Sequence, residues 1–505
     1  MGNLSAMNIK YKVDHMNGPA KPCTVIFLTQ DPGNLDQRPE LSSFRRIIQP
    51  ILTTEAFRGE FLECRAVSNA QVDCWLILVG LGKAEELSEG RLLECAALGV
   101  SQAADLNVKE VFVAVPPLEN FAPGNILALL VLGGKLGAHR RSTFKTDFSP
   151  RDSVNLKTIT YQQIGSRDPV EKAQHTITRA SVMADAQLEA RRLADLPANL
   201  LFPLDFAEEA RKSAGRRKIK VSVWEEDKLA QEGAWSILAV GQGSSHPPAV
   251  VILEYQGRSA SRDPIALVGK GVTFDSGGLC LKPAESMPGM KSDMSGAAAV
   301  LAAVSAAAEL HLPQHIVGVL PLAENMPGWK AYRPGDIVKT LSGQTVEVVN
   351  TDAEGRMILC DALTLAQKYK PSVIIDIATL TGACQVALGD KLAGIFTDSD
   401  SLCSRVVDSA ASVGERFWRL PLFKDYEANL KSDLADCRHM AGRAGGAINA
   451  ALFLKRFVKP KFPWAHLDIA GTARRSEKAP GSPEGATGFG TRTLIKYLID
   501  NQDAP

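Results

Sequence analysis

Residues 350–357 read NTDAEGRM, set between an apolar, β-branched run, TVEVV (345–349), and a helical run, ILCDALTLAQKY (358–369). A strand that passes through a short polar turn into a helix is the building unit of an α/β protein. The turn carries two carboxylates and a guanidinium on every second residue, at Asp352, Glu354 and Arg356. Two readings compete for it. Thr351 and Glu354 stand in the spacing of a capping box, T-x-x-E, which satisfies free helix N–H groups and needs no other role. In an extended segment, however, residues two apart point the same way, so Asp352 and Glu354 would aim at one point beyond the strand. Desolvated like charges raise each other's pKa and call for a counter-charge. Arg356 is one candidate, and a divalent cation is a better one.

The bulk composition narrows the classes. A chain of 505 residues implies two or more domains, each able to bury its own core. Charged residues make up 22% and apolar residues 45%, as in ordinary globular proteins, and the net charge is +1. The first 165 residues hold 17 acidic and 17 basic side chains, so they carry no basic footprint for nucleic acid. Nine dispersed Cys without a C-x-x-C pair read as reduced thiols in a cytoplasmic protein. The start, MGNLSAMNIKYK, lacks a signal-peptide core. It also misses the myristoylation pattern at Ala6. The longest apolar run, ILALLVLGG (126–134), is too short to span a bilayer.

Strand-like and helical segments alternate along the whole chain. CTVIFLT (23–29), CWLILVGLG (74–82) and KEVFVAVP (109–116) are strands of a first α/β region. GLGK (80–83) lacks the rest of a phosphate-binding loop. Polar stretches at 149–158 and 166–169 close this region, and 170–196 forms one long helical pattern that stops at Pro197. IALVGKGV, IVGVLPLAE, TVEVVN, VIIDIATL and WAHLDIAG are strands of a second region, with the Ala-rich helix 296–310 among them. The expected architecture is α/β throughout. A smaller N-terminal domain (1–165) and a linking helix (166–194) precede a larger C-terminal domain (195–505) with a mainly parallel central sheet.

In such sheets, sites form beyond the carboxyl ends of strands. A second acidic segment starts at one of these ends, KGVTFDSGGLCLKPAESMPGMKSDMSG (270–296). It supplies Lys270, Asp275, Lys282 and Asp293. Each has a bland reading: a helix cap for Asp293, a turn former for Asp275, a surface lysine for Lys270. Together with Asp352 and Glu354 they make four carboxylates at the ends of apolar strands. Oxygen-rich sets of this kind suit divalent ions, and shared carboxylates suit a pair of them. No H-E-x-x-H is present, which argues against a His-ligated zinc protease.

KGVTFDSGGLCLKP, SDMSGAAAV, AENMPGWKAYRPGDIV and NTDAEGRMILCDAL together resemble the leucyl aminopeptidases, the M17 type of dinuclear metallo-exopeptidase. The resemblance runs from about residue 195 to the end and is weak over the first 165 residues. It implies the two-domain architecture above, assembled as a homo-hexamer. By matching positions, Lys270, Asp275, Asp293 and Glu354 resemble the ligands of one metal. Asp275, Asp352 and Glu354 resemble those of the other. Lys282 and Arg356 resemble the catalytic cations, with a bicarbonate near Arg356. Met290, Thr379, Gly382 and Ala470 match the side-chain pocket, and Ala473 stands where some members have Met. Pro288, Ser292 and Ser295 depart from the family pattern beside Met290 and Asp293. The implied cofactors are two divalent ions per subunit, Mn or Zn first, Mg or Co as alternatives. The implied substrates are peptides with a free N-terminus, Leu and other apolar residues preferred. A DNA-binding regulatory role as a second activity, and an inactive hexameric scaffold, are the alternatives. Charge does not support the first, and the intact acidic set argues against the second.

Overall fold

Val373–Ala378, VIIDIA, is buried at every residue, and so is Ile265–Gly269, IALVG. Uninterrupted burial means that both faces of these strands are covered, the mark of a central parallel sheet. The computed structural model describes residues 9–15, 22–31, 41, 44–69, 74–140, 144–145, 154–163, 170–215, 217–258 and 263–501. Much of the polar stretch read as closing the first region, 149–153 and 166–169, lies outside the described residues.

Two compact units form. One comprises Met1–Ala184 with the short pieces Ser412–Gly414 and Glu477–Glu484. Its strands are β1 (Lys10–His15), β2 (Cys23–Thr29), β3 (Cys64–Asn69), β4 (Cys74–Gly82), β5 (Glu110–Ala114) and β6 (Thr158–Gln163). They pair in the order β1-β6-β5-β2-β4-β3. All pairs are parallel except β3–β4. Helices α1 (Arg45–Thr53), α2 (Glu89–Asp105) and α3 (Pro123–Ala138) complete the unit. The long helix α4 (Val170–Asp195) begins in this unit and ends in the next.

The second unit holds the larger sheet. Its first elements are α5 (Pro203–Ala214), β7 (Ile219–Trp224), α6 (Glu226–Glu232), α7 (Trp235–Gly241), β8 (Ala249–Gln256), β9 (Ile265–Gly269) and β10 (Gly271–Asp275). Next come α8 (Ser295–Glu309), β11 (His315–Asn325), β12 (Ile337–Lys339), β13 (Thr345–Glu347), α9 (Glu354–Ala366), β14 (Val373–Ala378), α10 (Gly382–Leu388) and β15 (Ala393–Phe396). The last are α11 (Asp400–Ser412), β16 (Phe417–Arg419), β17 (Cys437–Arg438), α12 (Gly446–Arg456), β18 (Trp464–Asp468) and α13 (Thr491–Asp500). The strand order is β16-β15-β18-β14-β9-β11-β8-β7, with β10 paired to β11. The centre, β18-β14-β9-β11, is parallel, and antiparallel pairs lie toward its margins. The fold is therefore α/β with a mainly parallel central sheet.

Ala266 and Val268 of β9 join a core with Met357, Ile358 and Leu359 of α9 and Phe453 of α12. Alternation turns Ile265 and Leu267 to the opposite layer. Helix α8 packs on β9, β11 and β14. Its Ala-rich sequence and Gly296 allow a close approach: a Cβ at Gly296 would lie 2.1 Å from Ile377 O. One expectation is corrected here. TVEVV does not extend the central sheet. Only Thr345–Glu347 is strand, and it belongs to a separate three-stranded sheet, β12-β13-β17.

Candidate metal centre

Lys270 follows β9, Asp275 ends β10, Asn325 ends β11, Thr379 follows β14 and Asp468 ends β18. These strands run parallel through β11, β9, β14 and β18, with β10 parallel to β11, so their last residues gather along one edge. Two loops add to that edge. Gly277 (φ +88°) and Gly278 (φ +64°) turn the chain back after β10, in a region where side-chain-bearing residues are strained. The turn brings Lys282 Nζ within 2.7 Å of Asp275 Oδ2 and 2.5 Å of Asp352 Oδ1. Asp293 follows a 3-10 segment, Ala284–Ser292, that carries Met290 and Pro288. Ser292 Oγ donates to Gly289 O (2.8 Å) and Ser295 Oγ donates to Ser292 O (2.6 Å). The departing serines thus brace this loop, and no ligand type is lost.

The opening stretch reaches the site by another geometry than the sequence implies. Asn350 is extended, Thr351–Ala353 is one 3-10 turn, and Glu354 is the first residue of α9. Asp352 and Glu354 therefore stand on a helical turn and not on alternating strand positions, and they meet different lysines, Lys282 and Lys270. The capping box does not form either. Asn350 Oδ1 accepts from Asp352 N (2.8 Å). Thr351 Oγ1 donates to Gly277 O (2.6 Å) and accepts from Cys280 N (2.8 Å). Asp293 does not cap α8, whose N-cap position is Met294. Its Oδ1 accepts from Thr379 Oγ1 (2.7 Å).

The counter-charges are lysines. Lys270 Nζ lies 2.9 Å from Asp293 Oδ2 and 2.8 Å from Glu354 Oε1, and donates to Thr379 O (2.9 Å). Gly355 makes room for it, since a Cβ there would stand 2.6 Å from Nζ. Arg356 takes a different place: its NH1 group donates to His439 O (3.0 Å), and its buried Nε has no partner. Burial lowers the Arg356 pKa to about 10, which leaves it cationic at neutral pH.

Three buried carboxylates, Asp275, Asp293 and Glu354, and the exposed Asp352 face two ammonium groups, an excess of two negative charges. Burial raises the pKa values of Asp275 and Asp293, and Glu354 beside them adds to the rise. Burial also raises that of Asp352. For Lys270, burial opposes the charge, but Asp293, Glu354 and Asp275 outweigh it and the pKa rises. Lys282 rises in the same way, through Asp275 and Glu354. Glu354 Oε1 and Asp293 Oδ2 sit at ion-pair distance from Lys270, yet neither makes a hydrogen bond of sound geometry, and Glu354 Oε2 has no partner at all. One oxygen each from Asp275, Asp293 and Glu354 lie within 4.8 Å of one another. Orphaned, buried, convergent carboxylate oxygens are the donor set that a divalent cation completes.

The chain belongs to the cytosol aminopeptidase family. The catalytic-domain profile of that family matches residues 188–495, and its N-terminal-domain profile matches residues 43–147. A probable cytosol aminopeptidase of Roseiflexus castenholzii is 46% identical over 426 residues, 84% of this chain and 87% of that protein. One of Geotalea uraniireducens is 43% identical over 84% of this chain and 85% of its own. Among solved structures, a tomato leucine aminopeptidase mutant superimposes with a TM-score of 0.89 at 31% identity, covering 99% of this chain and 98% of its own. The bottromycin maturation enzyme BotP in complex with Mn gives 0.85 at 33% identity, covering 96% and 100%. As a member of this family the chain is an aminopeptidase, a hydrolase acting on peptides.

Around the cytosol aminopeptidase acids stand residues that sequence reasoning passed over. Asn325 Nδ2 donates to Asp275 Oδ1 (2.8 Å) and to Thr351 O (3.0 Å). The ring of His439 accepts from Val349 N (3.2 Å) and meets Asn350 O (2.9 Å), so it holds the coil that leads to Asp352. Asn325 and Asp468 end strands of the same sheet edge, and that position was the available signal. Thr379, Gly382 and Ala470 lie on the adjacent loops after β14 and β18. Ala473 is buried behind them, and Met290 is half-buried on its own loop.

Proposed function

We propose that this aminopeptidase releases Leu and other apolar N-terminal residues from peptides, with two divalent ions held by Lys270, Asp275, Asp293, Asp352 and Glu354. Mn or Zn is the first choice, with Mg or Co as alternatives. The orphaned oxygens of Glu354 and Asp293 are the observation that carries this reading. Lys270, Asp275, Asp293 and Glu354 would hold one ion and Asp275, Asp352 and Glu354 the other. When bound, such a pair supplies water activation near neutral pH and polarises a carbonyl. Lys270 would serve as a neutral amine, since nearby cations depress an ammonium pKa.

The chain's own residues do the rest. Lys282 Nζ, poised between Asp275 and Asp352, stabilises negative charge as it develops on the scissile carbonyl oxygen. Arg356 remains charged and is no base. Its partnerless Nε suits an anion, and bicarbonate there would relay a proton. Met290, Thr379, Gly382, Ala470 and Ala473 form the side-chain pocket. A Cβ at Gly382 would meet nothing within 4 Å, in keeping with open space there. Residues 1–165 act as a separate N-terminal domain, 166–194 as the linking helix and 195–505 as the catalytic domain.

Assembly as a cytoplasmic homo-hexamer belongs to the same reading. Trp329 (92% exposed), Trp418 and Phe423 are large apolar surfaces of the kind partner subunits cover. No described helix is long and apolar enough to cross a membrane. The decisive test is hydrolysis of leucine p-nitroanilide before and after chelation, with Mn2+ or Zn2+ returned and Asp352→Ala as control. Activity that disappears with the metal, returns with it and is absent from the variant is expected. A folded protein inactive with every metal overturns the reading.

A further inference from the structure

Ala378, the last residue of β14, pairs with Asp468, the last of the parallel strand β18. The loops that leave these two strands carry Thr379 and Gly382 on one side and Ala470 on the other. Asp468 is almost completely buried and sends its carboxylate into both. Oδ1 accepts from the N–H groups of Leu380 (3.2 Å) and Thr381 (3.5 Å) in the first loop and of Ala470 (3.1 Å) in the second. Oδ2 accepts from the Thr381 hydroxyl (2.7 Å). Thr381 Oγ1 accepts in turn from Cys384 N (3.0 Å), which fixes the first turn of α10, where Gly382 sits.

One carboxylate oxygen thus takes the backbone amides of both loops and the other takes the hydroxyl. Without it, three buried or partly buried N–H groups lose their acceptor and the loops must move apart or rotate to find others. Asp275 is held through Asn325 and Glu354 through the start of α9, while Thr379, at the head of the first loop, bonds Asp293 Oδ1 and accepts from Lys270 Nζ.

We propose that Asp468 is a positioning residue for substrate selection, clamping loops 379–382 and 469–473 at a fixed separation and so setting which N-terminal side chain fits. This rests on the assignment of Thr379, Gly382 and Ala470 to the side-chain pocket. The consequence falls first on selectivity, because Asp468 bonds residues 380, 381 and 470 and neither Thr379 nor any of the acids.

The test compares Leu-, Met- and Ala-p-nitroanilide on Asp468→Ala, Asp468→Asn and Thr381→Val, with metal content measured for each. For Asp468→Ala, KM for the Leu and Met substrates is expected to rise about tenfold, since misplacing a binding wall weakens the fit of the side chain it contacts. KM for the Ala substrate and kcat for all three stay within about threefold, and the bound metal is unchanged. Asp468→Asn keeps a carbonyl oxygen for the amides and is expected to restore most of the selectivity. Thr381→Val, a milder change should Asp468→Ala fail to fold, shifts the Leu/Ala ratio in the same direction. Equal losses on all three substrates, or loss of metal, overturn the proposal. Ala470→Phe separates the two layers of the argument. If it changes selectivity while Asp468→Ala and Thr381→Val do not, the clamp is wrong and the pocket stands. If it leaves selectivity untouched, the pocket assignment falls and the clamp with it.

Discussion

Glu354 is 1% exposed; its Oε1 meets only the Lys270 ammonium, at ion-pair distance, and its Oε2 has no partner. With Asp293 sharing the same ammonium, the excess buried negative charge costs stability until a further cation compensates it. Chelation is therefore expected to lower the melting temperature of the wild type. Metal returned at about a hundred times its Kd restores about 2.7 kcal/mol. Glu354→Gln keeps the shape and removes the charge. Its metal-free form is expected to melt no lower than the metal-free wild type and to gain nothing from Mn2+ or Zn2+. Calorimetry with and without chelator checks this, and a variant that still gains stability from metal would remove Glu354 from the ligand set. The acids were legible in the sequence because carboxylates at apolar strand ends lack a solvated explanation. Asn325 was not legible, since a neutral amide announces nothing until its Nδ2 is seen against Asp275.

Among elements, the start of α9 shows where local pattern misleads. T-x-x-E has the spacing of a capping box, but the Thr351 hydroxyl bonds Gly277 O, 74 residues away in sequence, and Asn350 caps the 3-10 turn that precedes α9, which has no side-chain cap of its own. Asn350→Ala is expected to destabilise the protein by about 1 kcal/mol, the usual value of an N-cap. Urea midpoints of the two proteins measure it. An unchanged midpoint would show that the Asn350 cap contributes nothing to stability. The central strands were legible as elements because burial on both faces demands continuous apolar runs such as VIIDIA. TVEVV has the same look but only three residues of strand, because its partners are the short β12 and β17 outside the main sheet.

For the whole molecule, acid tests how tightly distant segments are tied. His439 bridges the coil after β13 and backs Arg356; burial and the nearby guanidinium lower its pKa from 6.5 to about 4. A depressed folded pKa means that the stability is present above pH 6.5 and is lost as pH falls through 6.5 toward 4. The loss amounts to about 3 kcal/mol at the acid end. Asp361 acts with the opposite sign: burial raises its pKa from 3.8 to about 6, so its contribution is present below 3.8 and lost as pH rises through 6. The expected observation is thus a difference between curves. His439→Gln flattens the acid limb of stability against pH relative to the wild type, whatever its level at pH 7. Parallel curves would show that His439 is not the group that titrates.

The sequence by itself determined the α/β class, the Asp, Glu and Lys types that gather at the site, and the family resemblance, because all three are written in periodicity and in short motifs. Tertiary structure alone decided how those residues meet. Parallel strands separated in the chain end at one edge, the Thr351 hydroxyl bonds Gly277 O instead of capping α9, and lysines rather than Arg356 face the carboxylates. Each of these depends on partners brought from far along the chain, and spacing within one segment carries no record of what another segment will offer.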